Sequence, residues 1–138
     1  MSDFQTLYTG RLWSIMSWDQ LTAFWGRVGG EGWYLYAIGE DVPTTPASAE
    51  TTAEFVKRVD ALLRDDHRHD YCAIVYADNL DAPTFIKIYD PNNLGVSCGF
   101  STNPPLPGWI MSRVPPDDLQ AERKQPEGRR RWWRALSS

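Results

Sequence analysis

Two runs of β-forming residues, held apart by one short polar stretch, constrain this chain more than any other feature. Residues Tyr71–Ala77 read Tyr-Cys-Ala-Ile-Val-Tyr-Ala, and Thr84–Tyr89 read Thr-Phe-Ile-Lys-Ile-Tyr. Only Asp78-Asn79-Leu80-Asp81-Ala82-Pro83 lies between them. A parallel crossover needs a dozen or more residues, so this spacing predicts an antiparallel hairpin. Asp90, Pro91, Asn92, Asn93 and Gly95 follow the second run, and all favour turns. Lys87 stands between Ile86 and Ile88, which predicts one strand face turned toward water.

Elsewhere the apolar period changes. Ser17 with Gln20 three residues later is a capping-box pattern. Leu21, Phe24, Trp25 and Val28 then recur at i, i+3, i+4 and i+7, the stripe of a helix buried on one face. Gly29-Gly30 is read as its end, because glycine takes the left-handed conformation without steric cost. Trp33–Ile38 is an unbroken apolar run that suits a strand covered on both faces. Thr51 and Glu54 form a second capping pattern, and Phe55, Val59 and Leu62 lie on one face of a helix ending near Arg64. Placed between two strands, this helix reads as a βαβ unit with a right-handed crossover. A last strand is expected at 109–114, closed by Pro115-Pro116. Residues before Ser17 show no clear period and receive no element. The expectation is an α+β domain over residues 1–116, with two amphipathic helices and a small mixed sheet in the order αβαβββ. Residues 117–138 are read as a polar C-terminal tail.

A chain of 138 residues, 42% of them hydrophobic, buries a real core and is no candidate for disorder. Residues 1–116 carry 8 basic and 14 acidic side chains, whereas 117–138 carry 6 and 4. An acidic body repels nucleic acid and anionic membrane, so only the tail attracts either. Two cysteines without C-x-x-C spacing make neither a disulfide scaffold nor a standard zinc site. No secretory apolar segment opens the sequence, and no apolar run is long enough to cross a bilayer. A cytoplasmic protein with reduced thiols is the expectation.

Three groups of residues invite chemistry. Asp66, His67, His69 and Asp70, in a stretch of acids and imidazoles, are side-chain types that hold divalent metals, but their spacing matches no dedicated zinc motif. A solvated helix-to-strand loop accounts for the same composition. Cys98 is a second candidate, as a nucleophile or redox thiol. It requires a base to make the thiolate, and the hairpin would bring it toward His67 or His69. The third group is a contact surface. It comprises Asp90, Asn92 and Asn93 in the turn, and Arg130, Arg131, Trp132, Trp133 and Arg134 in the tail. Arginine and tryptophan are enriched at interface hot spots. Protein contact is favoured over fold-back onto the body, and both over nucleic acid. No phosphate loop, dinucleotide fingerprint, H-E-x-x-H or G-x-S-x-G motif occurs.

The run Lys87–Gly99, with Leu106-Pro107-Gly108-Trp109 and Ser112-Arg113-Val114-Pro115-Pro116 after it, resembles a group of small uncharacterised proteobacterial proteins associated with nitrogen fixation and related metalloenzymes. The resemblance covers residues 71–116. It implies a bacterial accessory role beside a large metalloenzyme and assigns no catalytic residue. The combined expectation is a non-catalytic binding protein without a cofactor that contacts a larger protein. A thiol-dependent enzyme or redox sensor using Cys98 is the alternative.

Overall fold

The computed structural model describes residues 2–67, 69–91, 106–119, 133 and 136. Eight elements follow one another: α1 (Asp3–Thr9), β1 (Trp13–Ser17), α2 (Trp18–Trp25), β2 (Tyr34–Ala37), α3 (Ala49–Asp66), β3 (Tyr71–Ala77), β4 (Phe85–Ile88) and β5 (Trp109–Ser112). The strands form one five-stranded sheet in the order β1-β3-β4-β5-β2. The protein is an α+β fold, and among the described residues no helix is long and apolar enough to cross a membrane.

Every pairing in the sheet is antiparallel. The sheet is therefore not mixed, and the βαβ reading is corrected. Three antiparallel steps separate β2 from β3, so the strands joined by α3 run in opposite directions. A helix-length connection permits either direction once the two strands are not neighbours, and β2 lies at the far edge beside β5. The hairpin itself forms with Tyr76 opposite Lys87. Its turn is held by carboxylate and amide acceptors. Asp78 Oδ1 accepts the Thr84 and Phe85 N–H groups (2.9 and 3.0 Å), and Asn79 Oδ1 accepts those of Asp81 and Ala82 (2.8 and 3.0 Å).

The helices start where hydroxyls cap them. Ser17 Oγ accepts Gln20 N–H at 3.0 Å, as its spacing predicts. For α3 the cap is Ser48, which accepts from Thr51 N–H at 3.1 Å, so the helix begins three residues before the expected Thr51. α2 ends at Trp25, short of the glycine pair, and Gly30 and Gly32 (φ 78° and 95°) turn the chain toward β2. Arg113 fixes that turn. Its guanidinium lies 4.2 Å from the Trp33 ring centre and donates to the carbonyl oxygens of Glu31 and Gly29. α1 and β1 were not expected. Phe4, Leu7 and Tyr8 do recur at i, i+3 and i+4, but a seven-residue helix is too short to show a period.

Both faces of the sheet are covered. Leu21, Phe24, Phe55, Val59 and Leu63 from α2 and α3 pack on Val75, Ile86, Ile88, Trp109 and Met111. Arg64 ties the two helices, donating to Asp60 at 3.0 Å, Thr22 Oγ1 at 2.7 Å and the Trp18 carbonyl at 3.2 Å. Trp133 and Leu136 join this core, with the Trp133 ring edge-on to Phe55 at 6.0 Å. On the opposite face Phe4, Tyr36, Ile38, Phe85 and Ile110 form a smaller cluster under α1, bordered by Val114 and Leu119. Leu119 N–H donates to the Tyr36 hydroxyl at 3.1 Å, and Ser2 donates to Asp117. The described residues beyond 116 are thus packed on the body.

Candidate functional site

The histidine loop is shaped by aromatic packing. His67 is 7% exposed and closes α3, its N–H donating to Leu63 O at 2.9 Å. Its Nε2 lies 2.9 Å from the Cys72 carbonyl, which makes that nitrogen the protonated donor. Burial holds its pKa below the ordinary value, the Cys72 hydrogen bond opposes this, and neighbouring His69 adds to it. His69 stacks on Tyr71 at 5.2 Å, and Trp18 Nε1–H donates to the His69 carbonyl at 2.9 Å. His67 therefore spends its Nε2 on backbone. Among the described residues no three His, Cys, Asp or Glu side chains converge on a metal-sized space. The four residues Asp66, His67, His69 and Asp70 are neighbours in sequence without being a ligand set.

Cys98 lies outside the described residues, as do Asn92, Asn93, Arg130, Arg131, Trp132 and Arg134. Cys72 is the thiol that the histidine loop meets through its backbone. It is fully buried in the core, where burial pushes its pKa up and makes it a poor nucleophile. Asp90 is 5% exposed, and its Cβ is where a side chain at Gly108 would collide, 3.2 Å away. Trp133 is partly buried and packs against the core. Of the expected contact surface, the two described members are thus one buried carboxylate and one half-covered indole.

Among the described residues the exposed large apolar side chains lie elsewhere. Trp13, Met16 and Tyr71 are 52%, 55% and 52% exposed. β1 is an edge strand, and Tyr71 sits opposite Ser17 on the adjoining β3. These three side chains mark out about 13 Å of one edge, from the usual rise along a strand. A bulge distorts the pairing here. Ala73 has φ 53°, in the left-handed region that non-glycine residues rarely enter, and the register slips between Ile15 and Ser17. The first residues of the chain show no period, so nothing in the sequence flagged this edge. A lone Trp-Ser-Ile-Met-Ser stretch is as consistent with loop as with strand.

A second unexpected group lies on the face under α1. The sheet register lines up Ser14, Tyr76, Lys87, Ile110 and Tyr36 in one row across all five strands. Lys87 Nζ stands 3.7 Å from the Tyr8 ring centre. The Tyr76 ring packs edge-on against Tyr89 at 5.7 Å. Burial lowers the Lys87 pKa, and no charged group adds to or opposes that effect. Burial, with Tyr8 and Tyr76 nearby, raises Tyr89 to about 12. Lys87 does not simply see water. α1, which carries Tyr8, covers it halfway. No protein-family model, no curated protein and no solved structure matches this chain.

Proposed function

We propose that the protein is a non-catalytic binding protein that docks a larger protein partner along the β1 edge. One observation carries this reading: Trp13 and Met16 on β1 and Tyr71 on the adjoining β3, large apolar side chains each more than half exposed, gather at an edge that pairs with no further strand among the described residues. Trp and Tyr bring large contact area at low entropy cost, and Met adapts to irregular surfaces. An edge strand adds backbone hydrogen bonds to whatever strand pairs with it. Arg11 lies 6.0 Å from the Trp13 ring centre, and it would screen that ring until a partner displaces it. The acidic balance of residues 1–116 favours a partner whose rim is basic. The resemblance of residues 71–116 supplies the partner class, a larger metalloenzyme of the nitrogen-fixation kind.

The thiol-dependent alternative rests on Cys98, which lies outside the described residues; of its two candidate bases, His67 has Nε2 on the Cys72 carbonyl. The test compares native complexes recovered with the tagged chain, with Trp13→Ser/Met16→Lys, and with Lys57→Gln on the outer face of α3. The expected result is one stoichiometric partner held by the parent and by Lys57→Gln and lost from the double variant. Equal recovery with the edge variant would remove the proposal.

A further inference from the structure

The row under α1 and the rings beside it gather an ammonium and several hydroxyls, and among the described residues no anionic acceptor pairs with that ammonium. Lys87 offers an ammonium with three N–H groups, and Tyr8, Tyr76 and Tyr89 each offer a phenol. Among the described residues no ion pair involves Lys87, and no hydrogen bond is made by the Tyr8 or Tyr89 hydroxyl. Tyr76 has only a long contact, its hydroxyl 3.4 Å from the Ala73 carbonyl. Ser14, next to Tyr76 in the same row, has a fully enclosed Oγ without a partner. A carboxylate does engage this face at the other end of the row, where Asp118 meets Tyr36 at 3.4 Å. Tyr36 lies two strands away from Lys87, about 10 Å by ordinary strand spacing.

The isolation of Lys87 stands out because residues 1–116 carry 14 acidic side chains. None of them lies within ion-pair distance of this half-buried cation. Its neighbours in space are aromatic rings and Ile110, in a row where an aliphatic residue would pack well. One face of Tyr8 compensates part of the desolvation, a contact worth about 0.5–2 kcal/mol. Holding a half-buried charge with no ion-pair partner among the described residues costs stability unless something else uses it. A ligand bearing acceptor oxygens would satisfy the ammonium and the phenols together.

We infer that Lys87, with the hydroxyls of Tyr8, Tyr76 and Tyr89, forms a binding site for a small oxyanion, a carboxylate or phosphate group. The ammonium supplies the charge. The phenols supply direction, and their rings shield the pair from water, which strengthens the charge-assisted hydrogen bonds. The site is built on two hairpin strands and α1, so the donors are in place before the ligand arrives and little ordering is needed on binding. Its charged and phenolic groups come from α1 and the hairpin and not from Trp13, Met16 or Tyr71, so it does not depend on those three side chains being a docking surface.

The test is a two-dimensional NMR titration of the full chain with inorganic phosphate and, separately, with acetate. Saturable shifts confined to Ser14, Tyr8, Tyr76, Lys87 and Tyr89 are expected, with dissociation constants on the order of 1 mM. The anion that saturates at the lower concentration assigns the ligand class. Lys87→Met keeps the aliphatic stem and should weaken binding at least about tenfold, or 1.4 kcal/mol. Tyr89→Phe keeps the ring and should weaken it by a smaller factor, and Lys57→Gln should leave it unchanged. Absence of saturable shifts with either anion, or unchanged affinity in Lys87→Met, overturns the inference. Tyr89→Phe removes a single oxygen and keeps the ring, so it reports on the site if the lysine variant folds poorly.

Discussion

Along β3, β4 and β5 the side chains facing α2 and α3 are Val75, Ala77, Ile86, Ile88, Trp109 and Met111. On the other side the same strands present Tyr76, Phe85, Lys87, Ile110 and Ser112. Alternation along a strand lets one stretch of backbone serve two chemistries. The helix side is hydrocarbon sealed by two amphipathic helices and by Trp133 and Leu136. The α1 side has a cover of seven residues, and beneath it hydroxyls and an ammonium lie among the rings. The larger apolar cluster lies on the first side, and the smaller cluster on the second shares its face with the ammonium and hydroxyls.

The sharpest way to break that contrast is to damage each side by one residue. Phe55 is fully buried between α3 and the sheet, so Phe55→Ala should lose about 3–5 kcal/mol, measured by urea unfolding. Tyr8→Phe on the other side removes only a hydroxyl without a described partner and should leave the midpoint nearly unchanged. Comparable losses at the two positions would erase the distinction between the faces.

A smaller effect tests how far the sealed side extends along the chain. Leu136 is buried in the helix-side core, although the sequence places it in a charged tail. It lines a cavity of about 190 Å³ together with Leu35, Pro43, Thr51 and Trp133. Leu136→Ala should cost about 2 kcal/mol, the low end for a buried leucine, because an adjacent cavity means fewer contacts to lose. A loss below a few tenths of a kcal/mol, read from the same unfolding curves, would show that the end of the chain contributes nothing to the core.

Much of the helix side was legible beforehand. The stripes at Leu21-Phe24-Trp25 and Phe55-Val59-Leu62 and the run at 33–38 name their elements through period alone, and the link at 78–83 names its hairpin. Pairing over longer distances was not legible. Nothing local tells β2 to join β5 instead of β3, or tells α1 and β1 to complete the sheet, because those choices depend on which edges remain open. The α1 side stayed hidden for the same reason. Tyr76 and Lys87 become neighbours once the hairpin is set, but Tyr8 reaches them only through a helix too short to announce itself. Composition marked the tail as a contact arm and gave no sign that Trp133 and Leu136 supply apolar surface to the protein's own core; Arg130, Arg131, Trp132 and Arg134 lie outside the described residues.

The finest distinction between the faces concerns the sign of one substitution. Burial sets the Lys87 pKa below that of the unfolded chain, so at neutral pH the native state carries a desolvated charge. Between the native and unfolded pKa values the unfolded chain binds more protons, and stability from this residue rises with pH across that window. Below the window the penalty is present in full. Lys87→Met at pH 7 removes both the penalty and the contact with Tyr8, and half-exposure keeps the balance small. The net expected result is a gain of no more than about 1 kcal/mol, or about 2–4 °C in Tm for a chain of this size. The difference in Tm between parent and variant should narrow as pH climbs toward the lysine range, while the shared tyrosine titrations cancel. A variant that is less stable than the parent at pH 7 would mean that the ring contact outweighs desolvation. Lys87 would then be a packing residue, and the α1 side would lose its claim to a purpose other than folding.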